Sequence, residues 1–305
     1  MEYAQLKPGS QFSPLRSLLY YSQRMVTAPS LRRLVVRALS GALRLRQGAG
    51  DELCARDSAE ETALLALRVS GYAPLGNLLS DTQCSDIRAW LADKLLTDRD
   101  RQRSGFTLAQ RPHGVRVADY HLREVIACPH ILSLANSTPL LGLAARYLTC
   151  KPTISALGLR WSFPVPGGSV LQAFHRDSED WRYLKILVYL SDVDDGAGPH
   201  VYLHGSHLTK APMRLRFYSD AEILARHRAE DLLIATGARG FCFAVDTAGI
   251  HKGAAPLEQP RLMLQIQYSL LPSYAYRYTP EQYHGPLVLD PYVNRLILRP
   301  AALRG

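Results

Sequence analysis

Phe174-His175-Arg176-Asp177 is the stretch on which the reading of this chain turns. It closes an apolar run, Val170-Leu171-Gln172-Ala173-Phe174, and so reads as the end of a strand. Side chains alternate faces along a strand, so His175 and Asp177 point one way and Arg176 the other. An imidazole and a carboxylate side by side on one face supply two of the three protein ligands of a two-His-one-carboxylate metal site. A tripeptide of this kind is common, and its weight comes from its surroundings. A second histidine, His251, follows the strand-like run Phe241-Cys242-Phe243-Ala244-Val245. Ten residues later Arg261 opens another, Leu262-Met263-Leu264-Gln265-Ile266-Gln267-Tyr268.

Working outward, the β-rich part of the chain begins after Lys151, with Thr153–Phe163 stopped by Pro164. Lys185–Leu190 and Val201–Leu203 are further strands, and Ser219 with Glu222 caps a helical insert to about Arg228. Several short strands at close spacing, broken once by a helix, predict an antiparallel sandwich or jelly roll. Before Lys151 the pattern is helical. Ser58 with Glu61 and Ser80 with Gln83 form capping boxes, and Thr138 is expected to cap, with Pro139 in the first turn, a helix to about Leu148. The first of these helices ends near Gly71, and Gly71–Leu75 is extended. In the second, Cys84, Ile87, Leu91 and Leu95 share an apolar face. Residues 99–103 read as a charged loop, and the proline-rich tail, 272–305, as irregular. The expected organisation is a basic N-terminal extension, 1–50, and a single domain, 51–305. That domain divides into a helical part (51–150), a β core (about 151–271) and the tail.

The 305 residues are 47% apolar and 21% charged, enough for a sizeable core. Five widely spaced cysteines, Cys54, Cys84, Cys128, Cys150 and Cys242, contain no C-x-x-C pair. That argues against a disulfide framework or structural zinc, and a cytoplasmic location is the simplest reading. No run approaches the ~20 apolar residues of a membrane-spanning helix, and no secretory signal is visible. The net charge of +9 is concentrated: residues 1–50 hold eight basic side chains against one acid, Glu2. Residues 1–29 read as irregular or loosely helical. Ser30 is expected to cap a helix to Arg46 with Leu31, Leu34, Val35, Ala38, Ala42 and Leu45 on one face and Arg33, Arg37 and Arg44 opposite. Packed on the domain, this helix has a solvated basic face. Alternatively, residues 30–46 lie against an anionic membrane surface. Aromatic interleaving is absent, so nucleic acid is not an expected partner.

Taken together, His175-Arg176-Asp177, Tyr189-Leu190-Ser191-Asp192-Val193-Asp194, Gly198-Pro199, Gly205-Ser206-His207, His251 and Arg261 resemble the phytanoyl-CoA dioxygenase family. The resemblance covers about residues 153–271, with 59–148 similar to the family's N-terminal helices. It implies an α+β fold with a double-stranded β-helix core on which the helices pack. It also implies a non-haem Fe(II)- and 2-oxoglutarate-dependent dioxygenase that hydroxylates a small-molecule, lipid or sugar-type substrate, using O2 and releasing succinate and CO2. His175, Asp177 and His251 become the iron ligands and Arg261 the residue that holds the distal carboxylate of 2-oxoglutarate. The planar fork of an arginine suits a carboxylate through two hydrogen bonds. Halogenating relatives lack the carboxylate ligand, so Asp177 favours hydroxylation. Arg160, Lys185 and Trp161 flank the site and are candidates for contacts around it. The two cations read first as exposed charges, and Trp161, like Trp181, as core or pocket wall. His200, His204 and His207 lie between the proposed ligands as decoys, His207 reading as structural and His204 as a loop or strand-end residue, and Asp194 and Asp195 read as turn formers. Two other functions remain open at this point: a cupin-like metal isomerase or hydrolase without 2-oxoglutarate, and a non-catalytic barrel that binds a membrane or partner. Neither the particular substrate nor the oligomeric state is legible.

Overall fold

The computed structural model describes residues 2–299 apart from 10, 49, 51–52, 54–57, 100–102 and 168–171. Val170, Leu171, Gly168, Cys54 and part of the 99–103 loop therefore lie outside the described residues. The first half of the chain holds β1 (Glu2–Tyr3), α1 (Pro14–Met25), α2 (Pro29–Gln47), α3 (Ser58–Val69), β2 (Tyr72–Asn77), α4 (Asp81–Leu91), β3 (Leu96–Asp98), β4 (Ser104–Phe106), β5 (Val117–Tyr120), α5 (Leu122–Ala127), α6 (Ile131–Ala135) and α7 (Thr138–Leu148). The second holds β6 (Thr153–Ser162), β7 (Tyr183–Tyr189), β8 (His200–Leu203), α8 (Asp220–Leu224), β9 (Leu232–Ala235), β10 (Phe241–Val245), β11 (His251–Gly253), β12 (Arg261–Ser269), β13 (Tyr276–Arg277) and α9 (Pro291–Asn294).

Two antiparallel sheets face each other. The larger has the order β2-β10-β7-β12-β6-β5-β3-β4 and the smaller β11-β8-β9. The segment at Phe174 and His175 joins the smaller sheet through bridges to Tyr218 and His251. This is the double-stranded β-helix, and strand alternation explains its layers. In β12, Leu262, Leu264 and Ile266 point outward to a core shared with Leu64, Leu67, Ile87, Leu91 and Leu148 of the helices. Residues directly opposite across a ladder share a face. The register Met263↔Tyr189, Gln265↔Leu187 and Gln267↔Lys185 therefore puts these six, with Arg261, on the inner face. Arg160 joins them, opposite Met263. In β8, His200 and Tyr202 point inward, while Val201 and Leu203 pack outside with Phe174, Ile223 and Ile250.

The capping boxes at Ser80–Gln83 and Ser219–Glu222 are both formed. α3 begins at Ser58 itself, so this serine lies inside the helix and is not its cap, and Thr138 likewise lies inside α7, whose cap position is Ser137. The helix after Ser219 stops at Leu224, short of Arg228, and Leu95 is exposed rather than part of the α4 face. The chain before Pro29 is more ordered than expected, since α1 is capped by Ser13 and β1 pairs with β13 of the tail. The largest correction concerns α2. Ala28 precedes Pro29 at its start, and Ser30 caps nothing. The buried positions are Val36 and Ser40, whereas Leu31, Leu34 and Leu45 are 49%, 62% and 91% exposed. Arg32 fixes this rotation. Its guanidinium lies over the Trp181 ring (5.4 Å) and donates to the carbonyls of Gln23, Asp180 and Trp181. Ser40 adds a bond to the carbonyl of Leu148 (3.0 Å).

Candidate active site

Three side chains converge between the sheets. Nε2 of His175 lies 3.6 Å from Asp177 Oδ1, and Nε2 of His251 lies 3.5 Å from Asp177 Oδ2. One ligand atom from each of the three falls within 4.8 Å of the others. The backbone fixes this closeness. His175 and His251 exchange both N–H···O bonds at 2.9 Å, and Asp177 N–H donates to the carbonyl of Thr247 (2.8 Å). Each imidazole is also oriented: His175 Nδ1 donates to the carbonyl of Ala173 (2.8 Å) and His251 Nδ1 to that of Gly249 (3.0 Å). A carbonyl only accepts, so each Nδ1 carries a proton and each ring turns its Nε2 to the common point. Burial pushes the His251 imidazole down to about 4, against the pull of Asp177, which keeps it unprotonated near neutrality. Burial acts the same way on His175, but the bond and charge of Asp177 outweigh it and hold that ring above its usual range. The donor set and its orientation fit a divalent iron.

Lys185, read from the sequence first as an exposed charge, is buried on the inner face. Its Nζ donates to Asp177 Oδ2 (2.7 Å) and stands 3.6 Å from Glu179 Oε1. Burial opposes the charged carboxylate of Asp177, yet Lys185, His251 and His175 together hold it well below the usual carboxylate range. Arg261 is buried at the start of β12. Its Nη2 makes one long bond, 3.4 Å, to Ser162 Oγ, while Nε and Nη1 have no partner among the described residues. Burial lowers its pKa, and only Tyr189 acts against that. A buried guanidinium without a counter-ion is costly, and an acceptor from outside the chain relieves the cost. Gly253 makes room for it: a Cβ there would come within 2.9 Å of Arg261 Nη2.

Arg160 shares the inner face but is tied to Asp119 (2.6 Å), which Arg99 also contacts at 3.3 Å. Trp161 is not brought to the site. One residue along β6, it faces the helical layer, where its Nε1 donates to the Tyr120 hydroxyl and its ring stacks on Phe163. Trp181 packs beneath Arg32. Asp194 shapes its turn by accepting from Ala197 N–H (2.9 Å). His200, set aside in the sequence as a decoy between the proposed ligands, is on the inner face with its ring 5.4 Å from that of His251. Burial, with His251 and Arg261 beside it, holds this imidazole well below its usual range, so it is neutral. No local signal in the sequence separates His200 from an outward-facing strand residue; only the packing of the two sheets places it inward.

Two facing sheets with a His-Asp-His cluster at one end and a buried arginine on the opposite strand define the class of iron oxygenases built on a double-stranded β-helix. A family profile described as phytanoyl-CoA dioxygenase matches residues 67–253, and the chain belongs to this family. It is an Fe(II)- and 2-oxoglutarate-dependent oxygenase. Solved structures share the fold at low identity. EctD from S. alaskensis, solved with 2-oxoglutarate and 5-hydroxyectoine, is 21% identical over 79% of this chain and 85% of its own, with TM-score 0.51. SnoK, an alpha-ketoglutarate-dependent carbocyclase from nogalamycin biosynthesis, is 18% identical over 70% and 85%, with TM-score 0.51. The epimerase SnoN, in complex with Fe3+, alpha ketoglutarate and nogalamycin RO, is 21% identical over 70% and 84%, with TM-score 0.50. No curated protein sequence matches the chain.

Proposed function

We propose that the chain hydroxylates an unactivated C–H bond of a small-molecule, lipid or sugar-type substrate, with His175, Asp177 and His251 holding the iron and Arg261 the distal carboxylate of 2-oxoglutarate. The observation that carries this is the pairing of three convergent, pre-oriented ligand atoms with a buried guanidinium whose Nε and Nη1 lack partners among the described residues. When bound, iron and 2-oxoglutarate supply the oxidation of substrate by O2, with succinate and CO2 as co-products. The protein's part is orientation and charge. His175 and His251 offer Nε2 because their Nδ1 protons are committed to backbone carbonyls. Lys185 donates to one oxygen of Asp177, and the other would be free to hold a metal. The unpaired Arg261 favours this reading over a cupin-like enzyme without a co-substrate. Anaerobic addition of Fe(II) and 2-oxoglutarate should give a charge-transfer absorption band that is absent in His251→Ala and Arg261→Leu. A wild-type protein that binds iron without forming the band overturns the proposal.

The N-terminal helices support a second role, contact with an anionic membrane surface. Leu31, Leu34 and Leu45 are exposed on α2, as are Arg33, Arg37 and Arg44, and neither α1 nor α2 carries an acidic residue. Exposed leucines beside arginines complement anionic headgroups over an apolar interior. No helix among the described residues is long and apolar enough to cross a membrane, so the contact is peripheral. The chain should co-sediment with vesicles containing phosphatidylglycerol, and Leu34→Glu with Leu45→Glu should abolish this. Equal sedimentation of wild type and double variant removes the idea.

A further inference from the structure

His200 is 5% exposed, and its Nε2 has no hydrogen-bond partner among the described residues. Leaving a buried polar atom unpaired costs about 1–3 kcal/mol. An apolar side chain would avoid that cost here, because the ring packs 5.5 Å from Phe243, in the layer that also holds Tyr189 and Met263. The histidine therefore calls for a partner from outside the chain, and its position indicates which. On one side its ring stacks against His251 at 25°. Its partner across the ladder is Gly253, the residue whose missing Cβ accommodates the Arg261 guanidinium. His200 thus stands between the metal-binding end of the site and the unpaired arginine, along the span that 2-oxoglutarate has to bridge.

We propose that His200 is a second anchor for the co-substrate, its Nε2–H donating to the same distal carboxylate that Arg261 binds. The inference rests on the reading of this site as a 2-oxoglutarate site. It adds a neutral donor to a charged one, which fixes the orientation of the carboxylate as well as attracting it.

The test compares two 2-oxo acids on the full chain loaded with Fe(II) under anaerobic conditions, followed by calorimetry and by the charge-transfer band. 2-Oxoglutarate carries the distal carboxylate and 2-oxobutanoate lacks it. His200→Leu should weaken 2-oxoglutarate binding about tenfold to a hundredfold, the loss of one hydrogen bond to a charged group. It should leave 2-oxobutanoate binding unchanged. His200→Gln, which restores an N–H donor, should recover part of the loss. The melting midpoint of metal-free His200→Leu should equal or exceed that of the wild type, since an unpaired buried atom has been removed. Unchanged affinity for 2-oxoglutarate overturns the proposal, as does equal loss for both acids or a lowered midpoint in the metal-free variant. If Arg261→Leu still binds 2-oxoglutarate like the wild type, the reading of the site itself fails and takes this assignment with it.

Discussion

Replacing Lys185 by Met removes the cation that compensates Asp177 while keeping most of the side chain's volume. At 2.7 Å and an effective dielectric near 20, the Nζ–Oδ2 attraction is about 6 kcal/mol. Removing the lysine also returns the desolvation cost of its own ammonium, so the net loss is smaller. Breaking one side of a buried pair costs about 3–5 kcal/mol, because the other charge stays buried and uncompensated. Glu179, 3.6 Å away, loses its cation at the same time. Metal-free Lys185→Met should therefore be less stable than the wild type by this amount in urea or guanidinium denaturation. Saturating Mn(II), a redox-inert divalent probe, supplies positive charge to Asp177 and should stabilise the variant more than the wild type. Equal stability of the two metal-free proteins would refute the view that Lys185 balances the ligand carboxylate. So would a difference that Mn(II) does not narrow.

Asp177→Ala should lose Fe(II) binding and substrate-dependent succinate release together, read by calorimetry and succinate assay; full turnover would exclude the carboxylate as a ligand. Asp180 is fully buried, accepts N–H bonds from Trp181 (2.7 Å) and Leu271 (2.8 Å), and has its carboxyl pushed up to about 7, chiefly by burial. Its folded pKa exceeds the unfolded value of about 4, so the native state holds a proton that the unfolded state has released. Stability should accordingly fall as pH rises from about 4 to about 7, and the slope should flatten in Asp180→Asn, measured by denaturation across that range. Ser80→Ala removes the hydroxyl that accepts from Gln83 N–H at the start of α4 and should cost about 1 kcal/mol with no effect on 2-oxoglutarate affinity.

Local signals in the sequence carried the His-Asp-His cluster and most of the core. His-x-Asp needs only alternation over three residues to put both side chains on one side. The apolar strand runs and the capping boxes at Ser80 and Ser219 are likewise settled within a few residues. The face that a helix buries is a different kind of question. Period identified an apolar stripe on α2, Leu31 to Leu45, but the domain packs against Val36 and Ser40. A single arginine, Arg32, finds backbone carbonyls and an indole ring on residues 180–181, far away in the chain, and these bonds set the rotation.

The inner face of the barrel shows the same division. Alternation separates Lys185 from Leu184 and Trp161 from Arg160, but it does not say which set points inward. That is decided by the ladder register, which pairs Gln267 with Lys185 and Met263 with Arg160. Lys185 looked solvated because a lone lysine usually is. It is buried because Asp177 and Glu179 arrive beside it. His200 looked incidental because nothing adjacent in sequence reveals that Arg261 and His251 close around it. The sequence by itself determined which residues can chemically hold a metal and a carboxylate. The tertiary structure decided which of them are buried, which are left without partners, and so which have reason to bind something else. Partnering is a property of contacts between residues distant in sequence, and local pattern does not encode it.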